Sequence, residues 1–214
     1  MTGIKPKIIA FDGTSASGKG TIAKLVAKEC SFDYLDSGVI FRQIAFLKIF
    51  RGIPISLENI VKECHEFDFS TVETQCFLTD NISDMASKLA KNPLVREAAK
   101  IFQKDYVKGK KVVVIDGRDI GTVIFPDAII KFYFDADINV RAKRRFKQLH
   151  KEGKSTILAH VLESLKLRDL RDKTRSVAPL VRAVDSISID STSCDISEVL
   201  KKVLKNINEK LNLK

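Results

Sequence analysis

Residues 7–11 and the glycine-rich segment GTSASGKGT after them constrain the fold of this chain more than any other feature. The mostly apolar letters KIIAF predict a short buried strand. After the loop, Ile22, Leu25 and Val26 recur at helical spacing, so the loop opens a helix. A strand, a glycine loop with a lysine and a helix, in this order, form the setting of a phosphate-binding P-loop.

The loop departs from the usual P-loop pattern at one position. Gly20 stands where Ser or Thr is expected, and Thr21 follows one residue late. Glycines let backbone N–H groups surround phosphate oxygens, and the helix N-terminus adds positive potential. The predicted donor-phosphate residues are Gly13, Thr14, Ser15, Ala16, Ser17, Gly18, Lys19, Gly20 and Thr21. The alternative interpretation is a chance glycine turn before a helix.

Four further strands are predicted, at residues 34–35, 111–116, 129–134 and 186–190, with helical patterns between them. Helices are predicted at 18–30, 37–50, 84–106, 137–150 and 196–211, and the third is interrupted at Asn92-Pro93. A further helix is predicted from a cap at Ser155 or Thr156 towards 175. Residues 56–77 show only weak helical patterns. Strands alternating with helices predict an α/β fold with a five-stranded parallel sheet. Sites in such sheets lie beyond the carboxyl ends of the strands, where Gly13, Asp36, Asp116 and Asp135 should converge.

Composition limits the class of protein. The 214 residues are 44% hydrophobic, which suffices for one core with a small appended lobe. No apolar run approaches the length of a membrane span, and the N-terminus has no signal-peptide layout. The four cysteines are widely spaced, so we expect reduced thiols in a cytoplasmic protein. The net charge of +10 suits a polyanionic partner: nucleic acid, an anionic membrane or nucleotide phosphates.

A carboxylate at the end of the strand KVVVID is the first candidate outside the loop. Asp116 beside a P-loop can hold Mg²⁺, directly or through water, together with the hydroxyl of Thr21. The alternative is that Asp116 only caps the turn at Gly117.

Two arginine-rich helices provide the next candidates. Arg168, Arg171, Asp172 and Arg175 fall on one helical face, where three guanidinium groups favour a bound phosphate. Arg141, Arg144 and Arg145 also share a face and resemble part of a lid that closes over phosphates. The alternatives are a surface ion-pair ladder and a solvated basic helix. The three histidines have no ligand or triad spacing.

These segments together resemble the bacterial cytidylate kinases. The resemblance rests on IIAFDGTSASGKGT, YLDSGVIFR, DGRDIGTVIFPDA, RAKRR, RDLRDKTRSVAPL and SISIDSTS, which run in family order over nearly the whole chain. It implies a three-layer P-loop kinase fold with an acceptor-binding insertion and a short lid. It also implies phosphorylation of CMP and dCMP from ATP with Mg²⁺, in the cytoplasm.

The resemblance implies roles for individual residues. Ser37 and Arg42 would contact the acceptor nucleotide, and Ser87, Arg96 and Asp119 would read the cytosine. Asp172 would hold the ribose hydroxyls, and Arg168 and Arg175 the acceptor phosphate. The implied catalytic residues are Lys19, Arg118, Arg168, Arg175, Arg141 and Arg145. The implied boundaries are a core at 1–37 and 109–214, an insertion at 38–108 and a lid at 146–157.

Two departures from the family pattern affect the acceptor lobe. Phe41 replaces a tyrosine, and the region from 66 to 84 is shorter than in the family. They leave open a kinase with another acceptor, such as UMP. A basic nucleic-acid-binding protein with a vestigial P-loop is a further alternative, but aromatic stacking platforms are lacking. No N-K-x-D motif supports a GTPase. We expect a monomer that binds neither nucleic acid nor membranes.

Overall fold

The computed structural model describes residues 5–50, 52, 54–66 and 80–212 of the chain. Its centre is one parallel sheet of five strands in the order β2-β3-β1-β4-β5. The strands are β1 (Lys7–Gly13), β2 (Asp33–Asp36), β3 (Val112–Asp116), β4 (Ile130–Asp135) and β5 (Ile187–Asp190). All five predicted strands are therefore confirmed, and Gly13, Asp36, Asp116 and Asp135 are the last residues of their strands.

Eight helices are described around the sheet. They are α1 (Lys19–Glu29), α2 (Ser37–Phe50), α3 (Leu57–Glu66), α4 (Asp80–Leu89), α5 (Pro93–Tyr106), α6 (Ile138–Lys151), α7 (Leu158–Thr174) and α8 (Ile196–Leu211). A single π-helical turn, Ile120–Ile124, follows β3. The predicted helix at 84–106 consists of two helices, and the first begins at Asp80. The weak pattern at 56–77 contains α3, and its residues 67–77 lie outside the described part.

The helices cover both faces of the sheet and make three layers. Side chains alternate along β1, so Ile8 and Ala10 pack towards α2, α3 and α5, while Ile9 and Phe11 pack towards α1 and α8. Each face carries its own buried apolar cluster. This arrangement confirms the predicted three-layer α/β fold.

Helix starts differ in how their free N–H groups are satisfied. Asn92 caps α5 by accepting from the N–H of Leu94, and Pro93 occupies the first helical position. The predicted cap at Ser155 or Thr156 is wrong. Helix α7 begins only at Leu158, its N-cap is Ile157, and no side chain caps it.

Two smaller packing units stand at the carboxyl edge of the sheet. Helices α6 and α7 pack through Ala142, Leu149, Val161 and Leu165. Helix α4 packs on α2 through Ala45, Ile82 and Ala86. Among the described helices, none combines the length and apolar character needed to cross a membrane.

Candidate active site

The glycine loop between β1 and α1 is held tightly against β4. A Cβ atom at Gly13 would lie 2.0 Å from the carbonyl oxygen of Phe134, so only glycine fits there. The N–H of Thr14 donates to that carbonyl, and its hydroxyl donates to Asp135 at 2.7 Å. Gly18 then takes φ 84°, which turns the chain into α1. The loop is thus a rigid turn at a helix N-terminus, the geometry that binds phosphate.

The unusual glycine of the loop lies against Asp116. A Cβ at Gly20 would come within 2.7 Å of Oδ2 of Asp116, so a Ser or Thr at this position would displace the carboxylate. Thr21, the next residue, is exposed and lines the larger of two cavities at this edge. The shift of the hydroxyl by one residue follows from this close approach.

Lys19 and Asp116 form a buried ion pair beneath the loop. Nζ of Lys19 lies 2.9 Å from Oδ1 of Asp116, and the hydroxyl of Tyr34 donates to Oδ2 at 3.1 Å. Burial and the nearby guanidinium of Arg118 lower the pKa of Lys19, while Asp116 opposes this shift. The pair therefore holds the lysine charge in a dry setting, where it acts strongly on a phosphate oxygen.

The larger cavity, of about 1040 Å³, opens above the loop, and we call it the donor cavity. Its walls come from the loop, from α6 and from the segment between β5 and α8. The lining residues include Thr14, Ala16, Ser17, Gly18, Lys19, Gly20, Thr21, Arg144, Arg145, Lys147, Lys151, Ser191, Cys194, Asp195, Ile196 and Ser197. The sequence reasoning missed the wall at 191–197, although its place after a strand end was a usable signal.

A second cavity, of about 210 Å³, lies between α2, α4, α5 and α7, and we call it the acceptor cavity. All eight residues predicted to bind an acceptor line it: Ser37, Arg42, Ser87, Arg96, Asp119, Arg168, Asp172 and Arg175. Lys19, Arg118 and Asp116 line it as well. Lys19 borders both cavities, so the two meet at the loop lysine.

One end of the acceptor cavity carries an arginine–carboxylate pair and an unpartnered hydroxyl. Arg96 donates to Asp119 through a short, buried ion pair, and the ring of Phe41 lies 5.6 Å from the Arg96 guanidinium. The Oγ of Ser87 is buried and has no hydrogen-bond partner within the described part of the chain. A buried hydroxyl without a partner costs free energy, so a polar ligand group at this end would be favoured.

The other end gathers Arg118, Arg168 and Arg175 around Asp172. Arg118 donates to Asp172 at 3.1 Å and to Oγ of Ser15 at 3.0 Å, linking α7 to the loop. Burial opposes the ionised form of Asp172, but the surrounding guanidinium groups hold its pKa below the usual value. Burial and Arg118 lower the pKa of Arg168 to about 10. Charges this crowded are relieved by a bound anion.

The predicted lid arginines separate into different settings. Arg141 is buried, donates to the backbone carbonyl of Ser15 and pairs with Asp169 at 2.6 Å, and it lines neither cavity. The expectation that it faces a phosphate is therefore corrected: Arg141 binds the backbone of the glycine loop and Asp169 instead. Arg144 donates to the carbonyl of Ser191. Arg145 lines the donor cavity and also a smaller cavity that it shares with Arg168.

Arg171 does not line the acceptor cavity with Arg168 and Arg175, although helical spacing grouped the three. It pairs with Asp84 of α4 at 2.7 Å, whereas Arg168 and Arg175 line the acceptor cavity. Arg175 follows the last residue of α7 with ψ 141°, so it reaches the cavity from an extended backbone.

Thr21 and Asp116, the residues predicted to hold a magnesium ion, line the donor cavity and the acceptor cavity respectively. Mg²⁺ prefers oxygen ligands, keeps several waters and uses few protein groups besides substrate phosphates. The hydroxyl of Thr21 and the carboxylate of Asp116 offer such oxygens. Within residues 5–50, 54–66 and 80–212 no cluster of three or more His, Cys, Asp or Glu side chains is placed to hold a metal alone.

The chain is similar in sequence to known cytidylate kinases. A model of the family described as cytidylate kinase matches residues 9–209. A cytidylate kinase of Coxiella burnetii is 36% identical over 95% of this chain and 92% of its own length. One from Rickettsia rickettsii is 38% identical with the same coverage.

Solved structures agree on the fold. Protein TT1252 from Thermus thermophilus aligns with a TM-score of 0.51 at 16% identity, over 96% of this chain and 98% of its own. An uncharacterized protein from Eubacterium ventriosum gives a TM-score of 0.52 at 16% identity, over 94% and 98%. Because the family model and these relatives span nearly the whole sequence, the chain belongs to the cytidylate kinase family.

Proposed function

We propose that this protein transfers the terminal phosphoryl group of ATP to CMP and dCMP, giving ADP and the cytidine diphosphates. The observation that carries the proposal is the position of Lys19. Its ammonium group borders a cavity above the P-loop and a second cavity lined by arginines. A phosphoryl group that moves from one cavity to the other would therefore pass this charge.

The donor cavity is assigned to ATP with Mg²⁺. The backbone N–H groups of the loop and the N-terminus of α1 would hold the phosphates. The basic residues Arg144, Arg145, Lys147 and Lys151 line the same cavity from α6. Thr21 and Asp116 would hold the metal, directly or through water, and the metal neutralises charge on the donor phosphates when bound.

The acceptor cavity is assigned to the nucleoside monophosphate. Six cationic side chains line it against four carboxylates, so an excess of positive charge meets the phosphate. We assign Arg168 and Arg175 to that phosphate and Asp172 to the ribose hydroxyls. Ser87, Arg96 and Asp119 would read the base, because no described residue bonds to Ser87 Oγ and the other two form an ion pair that lines the same cavity.

The reaction needs positioning and positive charge more than proton transfer. The attacking group is a phosphate oxygen that is already an anion, so no general base is required. Lys19, Arg118, Arg145, Arg168 and Arg175 would stabilise the charge that spreads over the transferring group. Water must be excluded, because otherwise ATP would be hydrolysed.

The same proposal includes the organisation of the chain. We assign a core to residues 1–37 and 109–214, an acceptor-binding insertion to 38–108 and a lid to 146–157. The lid range comprises the end of α6 and the turn before α7, which joins a helix of the donor cavity, α6, to a helix of the acceptor cavity, α7. A monomeric state and a cytoplasmic location belong to the same proposal.

A coupled assay of ADP release tests the proposal. CMP, dCMP, UMP, AMP and GMP are each supplied with ATP and Mg²⁺ to the folded protein. We expect turnover with CMP and dCMP and much less with the others. Turnover with UMP alone would shift the assignment to another acceptor. Absence of turnover with both cytidine nucleotides would refute it.

A matched pair of variants on α1 completes the test. Lys19→Met should abolish transfer with every acceptor, because the charge between the two cavities is removed. Lys28→Met lies on the exposed side of the same helix and should retain full activity. Equal losses in both variants would point to damage to the helix instead of loss of the site.

A further inference from the structure

Asp12, the residue before the glycine loop, is a buried carboxylate that the proposed reaction does not use. It is 5% exposed and lines neither the donor nor the acceptor cavity. Its Oδ1 accepts the N–H of Ile120 at 2.9 Å, and its Oδ2 accepts the N–H of Gly121 at 2.7 Å. Both oxygens therefore hold the start of the π-helical turn that follows Asp119.

The first N–H groups of that turn need a hydrogen-bond acceptor from outside the turn. The first N–H groups of any helical turn have no carbonyl partner within the turn. An aspartate at the preceding position usually supplies one with its own side chain. Asp119 occupies that position here, yet it makes no such bond. Its carboxylate is directed to Arg96 and lies 3.6 Å from Arg175.

The two aspartates thus divide two tasks. Asp12 satisfies the backbone of the turn, and this leaves the Asp119 carboxylate free to face the acceptor cavity. Burial raises the pKa of Asp12 to about 6, so the ionised form is unfavourable where it stands. A carboxylate whose ionised form destabilises the fold is better explained by a role in the site than by stability alone.

We propose that Asp12 is a positioning residue for acceptor recognition, which acts by capping the turn in place of Asp119. This inference rests on the proposed function, in which Asp119 reads the base. Without Asp12, the Asp119 carboxylate would turn back to cap its own N–H groups and would leave Arg96. The affinity for CMP would then fall, while binding of ATP would change little.

Steady-state kinetics on three variants provide the test. Asp12→Ala removes both acceptors and should raise the KM for CMP about tenfold or more, with the KM for ATP within about twofold. Asp12→Asn keeps one acceptor and should give a smaller rise. Val203→Ala removes apolar contacts in the cluster between the sheet, α1 and α8. It is the control for lost stability and should change neither KM.

A double-mutant cycle distinguishes positioning from a structural role. If Asp12 acts through Asp119, then Asp12→Ala should add nothing to the KM for CMP in an Asp119→Ala background. Additive effects, or equal rises in the KM for ATP and for CMP, would overturn the inference. If Asp12→Ala does not fold, the same cycle with Asp12→Asn decides.

The wild-type protein separates this inference from the function on which it rests. No turnover of CMP by wild type would refute the proposed function. Normal turnover by wild type with an unchanged KM for CMP in both Asp12 variants would refute only the positioning role.

Discussion

Gly20 shows how one residue is determined by a partner almost a hundred positions away. Its missing Cβ makes room for the Asp116 carboxylate, which pairs with Lys19. Gly20→Ala should push this carboxylate aside and lower kcat by about tenfold to a hundredfold, because small misplacements at a reacting centre are costly. Lys28→Ala, on the exposed side of α1, is the control. A kcat equal to that of wild type would contradict this reason for the glycine.

Ser87 provides a prediction in which stability and binding respond differently. Among the described residues its hydroxyl has no hydrogen-bond partner, so Ser87→Ala removes no bond and should not lower the free energy of unfolding by more than about 0.5 kcal/mol. The KM for CMP should rise about tenfold if the hydroxyl binds the base. Ser83→Ala, one turn earlier on α4, is the matched control. Denaturant unfolding and steady-state kinetics measure the two effects, and a loss of stability without a change in KM would argue against a binding role.

The pH dependence of stability should reveal the buried charge of Asp12. Burial raises its pKa to about 6 from the ordinary 3.8, although the hydrogen bonds from the N–H groups of Gly121 and Ile120 act to lower it. The folded state therefore holds this proton more tightly than the unfolded state. The stabilisation is fully present below about pH 4 and is lost as pH rises through about 6, on the order of 3 kcal/mol.

Asp12→Asn removes this titration. Its free energy of unfolding should therefore fall less steeply than that of wild type between pH 4 and 6. Urea denaturation at several pH values measures both slopes. Identical slopes would show that Asp12 does not titrate in this range.

At the scale of elements, the end of α7 decides which arginines reach the acceptor cavity. Arg175→Ala should raise the KM for CMP about tenfold to a hundredfold, because Arg175 lines that cavity. Arg171→Ala should change it by no more than about fivefold, since its partly exposed pair with Asp84 contributes little. Steady-state kinetics on the two variants test whether Arg175 and not Arg171 binds the acceptor. A larger rise in the KM for CMP in Arg171→Ala than in Arg175→Ala would contradict this.

The same helices show what the sequence could predict and what it could not. Strand ends and the glycine loop were predictable, because local pattern determines them. The grouping of Arg141 with Arg145 was not, since helical spacing does not reveal that Arg141 faces the loop backbone and Asp169. Arg175 lines the acceptor cavity, but an extended backbone places it there instead of the helical face that its spacing predicted. Asp12 had no local signal at all, because its partners lie 108 and 109 residues away.

At the scale of the whole molecule, part of the net charge of +10 lies where phosphates are expected. Six cationic side chains line the acceptor cavity, and four basic residues of α6 line the donor cavity. A basic balance therefore does not require a nucleic-acid partner here. The positive potential would instead draw two polyanionic nucleotides into neighbouring cavities that meet at Lys19.

Two cavities that meet at a single residue should bind their nucleotides separately. Each nucleotide alone, at a hundred times its Kd, should stabilise the protein by about 2.7 kcal/mol and raise Tm by roughly 5–10 °C. Arg175→Ala should reduce the shift given by CMP and preserve that given by ATP with Mg²⁺. Ile196→Asp, at an exposed position of the donor wall, should do the reverse, because its carboxylate repels the triphosphate. Thermal unfolding with each ligand measures all four shifts, and equal losses of both shifts in either variant would mean that the cavities act as one site.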